Sequence, residues 1–175
     1  MVNQYLTGGS LCFDKDERIF FSYTWPYLIN ILTTEGNELS QINRKSDFNW
    51  TPLIFKTDAV NGMLWSGTTR TINIFLLKSK YLVNSIYAED WEGNPERKII
   101  LSEFKKNTDK FFKYNGEFAV LDFYTLEGEF IESIKIDEKI SFLCSDNKGR
   151  ILGVKKSKDD FPSVVGYRVE INGNS

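Results

Sequence analysis

The sequence predicts an all-β protein built from a repeated antiparallel unit. Three observations lead there. Aromatic residues make up 15% of the 175 residues, as 14 Phe, 8 Tyr and 4 Trp, and aromatic and β-branched side chains suit the pleated, half-buried surface of a strand. One phrase also recurs. "LTTEGNELSQI" (32–42), "INIFLLKSKYLVNSI" (72–86) and "FYTLEGEFIESI" (123–134) each join two alternating runs through a tight turn and close on Ile. Finally, the recurrence is spaced. The phrases end at Ile42, Ile86 and Ile134, in steps of 44 and 48, while Asp14, Asp58 and Asp146 are separated by 44 and by twice 44.

Each unit reads as four short strands. In the first they fall at 10–14, 18–23, 27–33 and 37–42, separated by turns at 15–17 and 35–36 where Asp, Glu and Gly suit unusual backbone angles. The second unit repeats them at 53–57, 63–67, 71–77 and 81–87. In the third only the last two are clear, at 118–124 and 129–135. Its first half, "WEGNPERKIILSEFKKNTDKFFKYNG" (91–116), has no Asp anchor and reads as a short helix or a distorted strand pair. The fourth has strands at 140–145, 150–155 and 164–171 and lacks an outer one, while "NQYLT" (3–7) is a spare strand ahead of the first unit.

Self-similarity at about 40–50 residues is the mark of propeller blades or solenoid units. The expected architecture is a single β-propeller-like domain over 1–175, with four four-stranded antiparallel blades near 10–42, 50–88, 92–136 and 139–171. The spare N-terminal strand fits the gap in the last blade, which would join the ends and remove two sheet edges. The rival is an up-and-down β-barrel of lipocalin type, which has a similar length but needs no repeat.

The units resemble the six-bladed propeller family of uncharacterised bacterial proteins with TolB/NHL-like blades. The carriers are "DFYTLEGEFIESIKI" (122–136) and "SDNKGRILGVKKSKDDFPSVVGYRVEI" (145–171). The resemblance spans roughly residues 10–171 and implies a fold without an established activity. The chain departs from the family in size, since six blades need roughly 250 residues. About four blades fit, as a small ring or as part of a ring completed by another chain.

Composition narrows the function. Formal net charge is −2 with a pI near 5.3, which argues against a general nucleic-acid surface. No stretch approaches the ~20 apolar residues of a membrane span. The N-terminus lacks a basic region followed by an apolar one, so the chain is expected to be cytoplasmic if Met1 is its native start and exported if a leader has been removed. There is no His, which removes Ser–His–Asp and Cys–His catalysis and His metal ligation. No P-loop, GxGxxG, GxSxG or CxxC motif is present. No catalytic residue, metal site or cofactor is assigned.

Each constellation has a functional and a plainer reading. Asp14, Asp58 and Asp146 form either a carboxylate ring or Ca²⁺ loop, or turn residues between the first two strands of each blade; the repetition favours turns. Cys12 and Cys144 are a facing thiol pair or small core hydrophobes. "EFKKNTDKFFKY" (103–114) mixes Lys with aromatics, which suits single-stranded nucleic acid or simply a solvated segment; the acidic chain favours the latter.

Strand counting places one set of loops on a common face. This face collects Tyr23, Trp25 and Tyr27, then Phe48 and Trp50, then Arg70 and Trp91, and finally Asp159, Asp160 and Phe161. Loop aromatics beside polar groups suit recognition of a protein or carbohydrate; the plainer reading makes them caps on the core. The preferred function is a non-enzymatic binding or scaffold module using this face. The alternatives are a carboxylate-based or metal-dependent hydrolase of propeller type, and an assembly subunit that completes a ring, such as a homodimer.

Overall fold

A computed structural model describes residues 8–24, 27–44, 54–58, 62–66, 70–89, 117–136, 140–156 and 161–171. These residues form thirteen strands and contain no helix. Strands β1 (Gly9–Phe13), β2 (Ile19–Tyr23), β3 (Ile29–Leu32) and β4 (Glu38–Ile42) make one antiparallel sheet in chain order, the first sheet. β5 (Ile54–Asp58) and β6 (Gly62–Ser66) pair as a two-stranded sheet. The middle sheet runs β7 (Arg70–Leu77), β8 (Tyr81–Glu89), β9 (Glu117–Thr125), β10 (Phe130–Ile136). The last sheet is β11 (Ile140–Ser145), β12 (Arg150–Lys156) and β13 (Pro162–Arg168).

The first four-stranded unit forms as the alternation predicts. The second and third do not form separately. β8 pairs with β9 along its whole length, from Tyr81↔Thr125 to Glu89↔Glu117, so halves of the two units share one sheet and β5–β6 stands apart. The physical reason lies in the apolar runs of β7 and β9, "INIFLL" (72–77) and "FAVLDFY" (118–124). These are nearly continuous rather than alternating, the pattern of strands covered on both faces. Segment 91–116, expected as a helix or a distorted pair, and strand 3–7, expected to complete the last blade, lie outside the described residues. The described strands divide among separate antiparallel sheets, and no closed ring joins them. A single up-and-down barrel sheet is not what they form.

Three sheets stack in the order first, middle, last. One core joins Phe20, Ile29, Ile31 and Ile42 of the first sheet to Ile74, Leu82, Ile86, Val120 and Tyr124 of the middle one. The opposite face of the middle sheet carries Phe75, Leu77, Val83, Leu121 and Phe123, which meet Ile140, Phe142 and Ile151 of the last. The leading strand of each sheet is aligned with the next, β1 beside β7 and β7 beside β11. Asn73 fastens all three. Its Oδ1 accepts from Ser10 Oγ on β1, and its Nδ2 donates to the Leu143 carbonyl on β11. Ser145 Oγ adds a bond to the Leu76 carbonyl.

The repeated turns are local devices. Asp14 Oδ1 accepts from the Asp16 and Arg18 backbone N–H groups, and its Oδ2 from Arg18 Nε at 2.6 Å. Asp146 does the same with Lys148 and Arg150, the Nε bond being 2.7 Å. The Thr33–Asn37 and Thr125–Glu129 turns also match. In each the Thr hydroxyl accepts the backbone N–H four residues on, and Gly36 and Gly128 sit at φ 84° and 93°, where a Cβ is disfavoured. The Asp residues therefore act as turn clasps, as the repetition suggested. Side-chain geometry at Asp58 lies outside the described residues.

Candidate functional site

A cluster of buried polar groups lies on the first-sheet face of the middle sheet. Asp122 on β9 is fully buried. It accepts from the Tyr27 hydroxyl at 2.7 Å, from Ser133 Oγ, and from Arg44 Nη1 at 3.2 Å. The Tyr27 and Tyr124 hydroxyls bond each other, and the Arg44 guanidinium lies 3.6 Å from the centre of the Phe130 ring. Burial, reinforced by the Asp122 charge, pushes the Tyr27 phenol far above its ordinary value. Burial likewise raises Tyr124 to about 12. Neither can serve as a base near neutrality. A second buried link runs from Ser22 Oγ to Asn84 Oδ1 at 3.1 Å. The partners of the Asp122 carboxylate lie on the neighbouring sheet or strand, so the cluster is a pin between layers.

The uncovered surfaces lie at the two ends of the stack. On β1, Ser10 and Cys12 turn inward, and Leu11 and Phe13 turn outward with relative exposures of 51% and 56%. Their partners across the sheet, Phe21 and Ile19, continue the outward face, and Tyr23 packs edge-on against Phe21 with ring centres 4.8 Å apart. The outward face of the last sheet carries Leu152 and Val154, with Val164 at 70% exposure.

Four of the loop residues singled out from the sequence are among the described residues. Tyr23 sits at the end of β2 on the outward face. Tyr27 is in the core, only 4% exposed; its hydroxyl satisfies Asp122, so it belongs to the pin rather than to an open face. Arg70 begins β7, opposite Tyr87. Phe161, just before β13, is 83% exposed. Trp25, Phe48, Trp50, Trp91, Asp159 and Asp160 lie outside the described residues. Cys12 is inward, and burial raises its thiol to about 12 with help from Asp14. Cys144 is exposed on the other side of its strand, because a register shift between Phe142 and Cys144 interrupts the alternation. The two thiols do not face each other.

Leu11, Phe13 and Phe21, which lie on the outward face of the first sheet, were not singled out from the sequence. Their signal was present: "SLCF" (10–13) and "RIFFSY" (18–23) are apolar on both parities, which an end sheet with one wet face does not need. Among the described residues, no group of His, Cys, Asp or Glu could hold a metal ion, and no helix is long and apolar enough to cross a membrane. No family model matches the chain, and no curated protein matches it.

Proposed function

We propose that this chain is a non-enzymatic binding and scaffold module for protein partners, and that its stacked sheets are a sector of a β-propeller-like ring of the six-bladed type that the sequence resembles. The observation that carries the reading is the uncovered apolar face of the first sheet, with Leu11 and Phe13 half exposed beside Phe21. The Leu11, Phe13, Ile19 and Phe21 side chains form a mainly apolar face with Asn30 at its edge, which suits a protein surface better than a carbohydrate, since a sugar needs several hydrogen-bonding groups beside its stacking aromatics. The leading strands favour the same reading over a hydrolase. β1 meets β7 through Ser10 and Asn73, β11 meets β7 through Ser145 Oγ and the Leu76 carbonyl, and among the described side chains of these strands is no carboxylate.

The test is Phe13→Lys. A residue reserved for binding is dispensable for folding, so the variant is expected to keep the native melting temperature within a few degrees. At concentrations where the chain is monomeric it should also lose the share of bound apolar-dye (ANS) fluorescence that belongs to the first-sheet face, while the share at Leu152, Val154 and Val164 of the last sheet remains. Unfolding of the variant would show that Phe13 is core and would overturn the reading.

A further inference from the structure

Among the described residues, one arginine-to-turn contact between sheets is complete, and the two halves of a second lie at opposite ends of the stack. Arg18, held by the Asp14 clasp, reaches from the first sheet to the middle one. Its Nη1 donates to the Leu126 carbonyl at 3.4 Å and lies 3.8 Å from Glu127 Oε1. Both acceptors belong to the Thr125–Glu129 turn. Arg150 is the counterpart of Arg18 in the last sheet, held by Asp146 in the same geometry. The counterpart of the acceptor turn is Thr33–Asn37 in the first sheet, with Glu35 where the other turn has Glu127. Arg150 shares its side of β12 with Leu152 and Val154, away from the middle sheet, as Arg18 shares its side of β2 with Phe20, toward the middle sheet.

Exposure records the difference. The Arg18 and Asp14 side chains are 24% and 1% exposed under the neighbouring sheet; those of Arg150 and Asp146 are 45% and 15% exposed. The donor half thus lies at one end of the stack beside Leu152, Val154 and Val164. The acceptor half lies at the other end, on the sheet that presents Leu11, Phe13 and Phe21.

The geometry points to a second copy of this chain as the partner: the last sheet of one copy seats on the first sheet of the other, and Arg150 engages Glu35 and its turn across the junction as Arg18 engages Glu127 within the chain. This rests on the binding reading above and names its partner. The contact is heterologous, donor end to acceptor end. Two copies related by a twofold axis satisfy both ends at once, and the pair is the smallest closed assembly.

The experiment is light scattering of the native chain and three variants at two concentrations. The native chain should have twice the 20.3 kDa chain mass. Glu35→Arg, on an exposed turn outside the Asp146 clasp, should raise the dissociation constant by about tenfold or more, because it sets like charges against each other. Arg150→Glu should do the same, and the double variant, with the charges exchanged, should recover most of the affinity. A native monomer whose dye binding is still reduced by Phe13→Lys would overturn this arrangement and leave the binding reading standing. A native dimer insensitive to both charge variants would also overturn it, since it would have to pair through like faces. Loss of dimer by Glu35→Arg without recovery in the double variant would count against the Arg150 contact.

Discussion

Asp122 shows how one residue can couple two sheets. Its carboxylate is fully buried and meets Tyr27, Ser133 and Arg44. A buried charge stripped of its partners, or partners stripped of their charge, costs about 3–5 kcal/mol. Asp122→Ala is therefore expected to destabilise the chain by about 3 kcal/mol in urea titration, since it removes the buried acceptor shared by the Tyr27 hydroxyl, Ser133 and Arg44. Cys12 gives a pH signature. Its folded thiol is raised from 9.0 to about 12, so its contribution is intact below the unfolded value and is lost as the pH rises between the two. Tyr27 and Tyr124 are raised from 10.0 and act in the same direction, beginning one unit higher. Stability measured from pH 8 to 11 should start to fall near 9 in the native chain and near 10 in Cys12→Ala.

Turns and hairpins show where local sequence suffices. The Asp clasps span four residues, and the Thr turns close around a glycine of positive φ. Such pieces are readable because every interaction lies within one turn of chain. The two glycines nevertheless differ in surroundings. A Cβ on Gly36 meets nothing within 4 Å, whereas one on Gly128 lies 3.1 Å from Ile42 Cγ1. Both Ala substitutions carry the backbone cost of the left-handed region, about 1 kcal/mol. Gly128→Ala should lose more, because it also presses on the first sheet's core. Equal losses in thermal unfolding would mean that Ile42 yields freely. The β7–β8 turn is a different device. Lys78 and Ser79, the central residues of the turn closed by the bond from the Lys80 N–H to the Leu77 carbonyl, both have positive φ, 54° and 52°, so the 72–86 phrase imitates the others in pattern but not in turn chemistry.

At the scale of the molecule, the stack leaves both ends apolar, and the binding and pairing proposals belong to this level. Burying a large apolar side chain contributes roughly 1.5–3 kcal/mol. Leu11 and Phe13 at half exposure are therefore a substantial driving force for a partner, and the Phe13→Lys, Glu35→Arg and Arg150→Glu variants separate that force from its charge registration. The aromatic loop face expected from strand counting was only partly readable. Tyr23, Trp25 and Tyr27 are within five residues of one another, yet Tyr27 turns inward because Asp122, 95 residues away, needs its hydroxyl. No local pattern announces such a partner.

The sequence by itself determined the all-β class, the strands of the first and last sheets, and the repeated turns, because side-chain alternation and turn chemistry act within a few residues. Only the tertiary structure decided which strands share a sheet and which faces stay uncovered. β8 reaches β9 across the intervening 90–116 segment, and Cys144 turns outward at a register shift while Cys12 stays inward. These outcomes depend on distant surfaces competing for the same apolar area, and that competition is settled only when the layers pack.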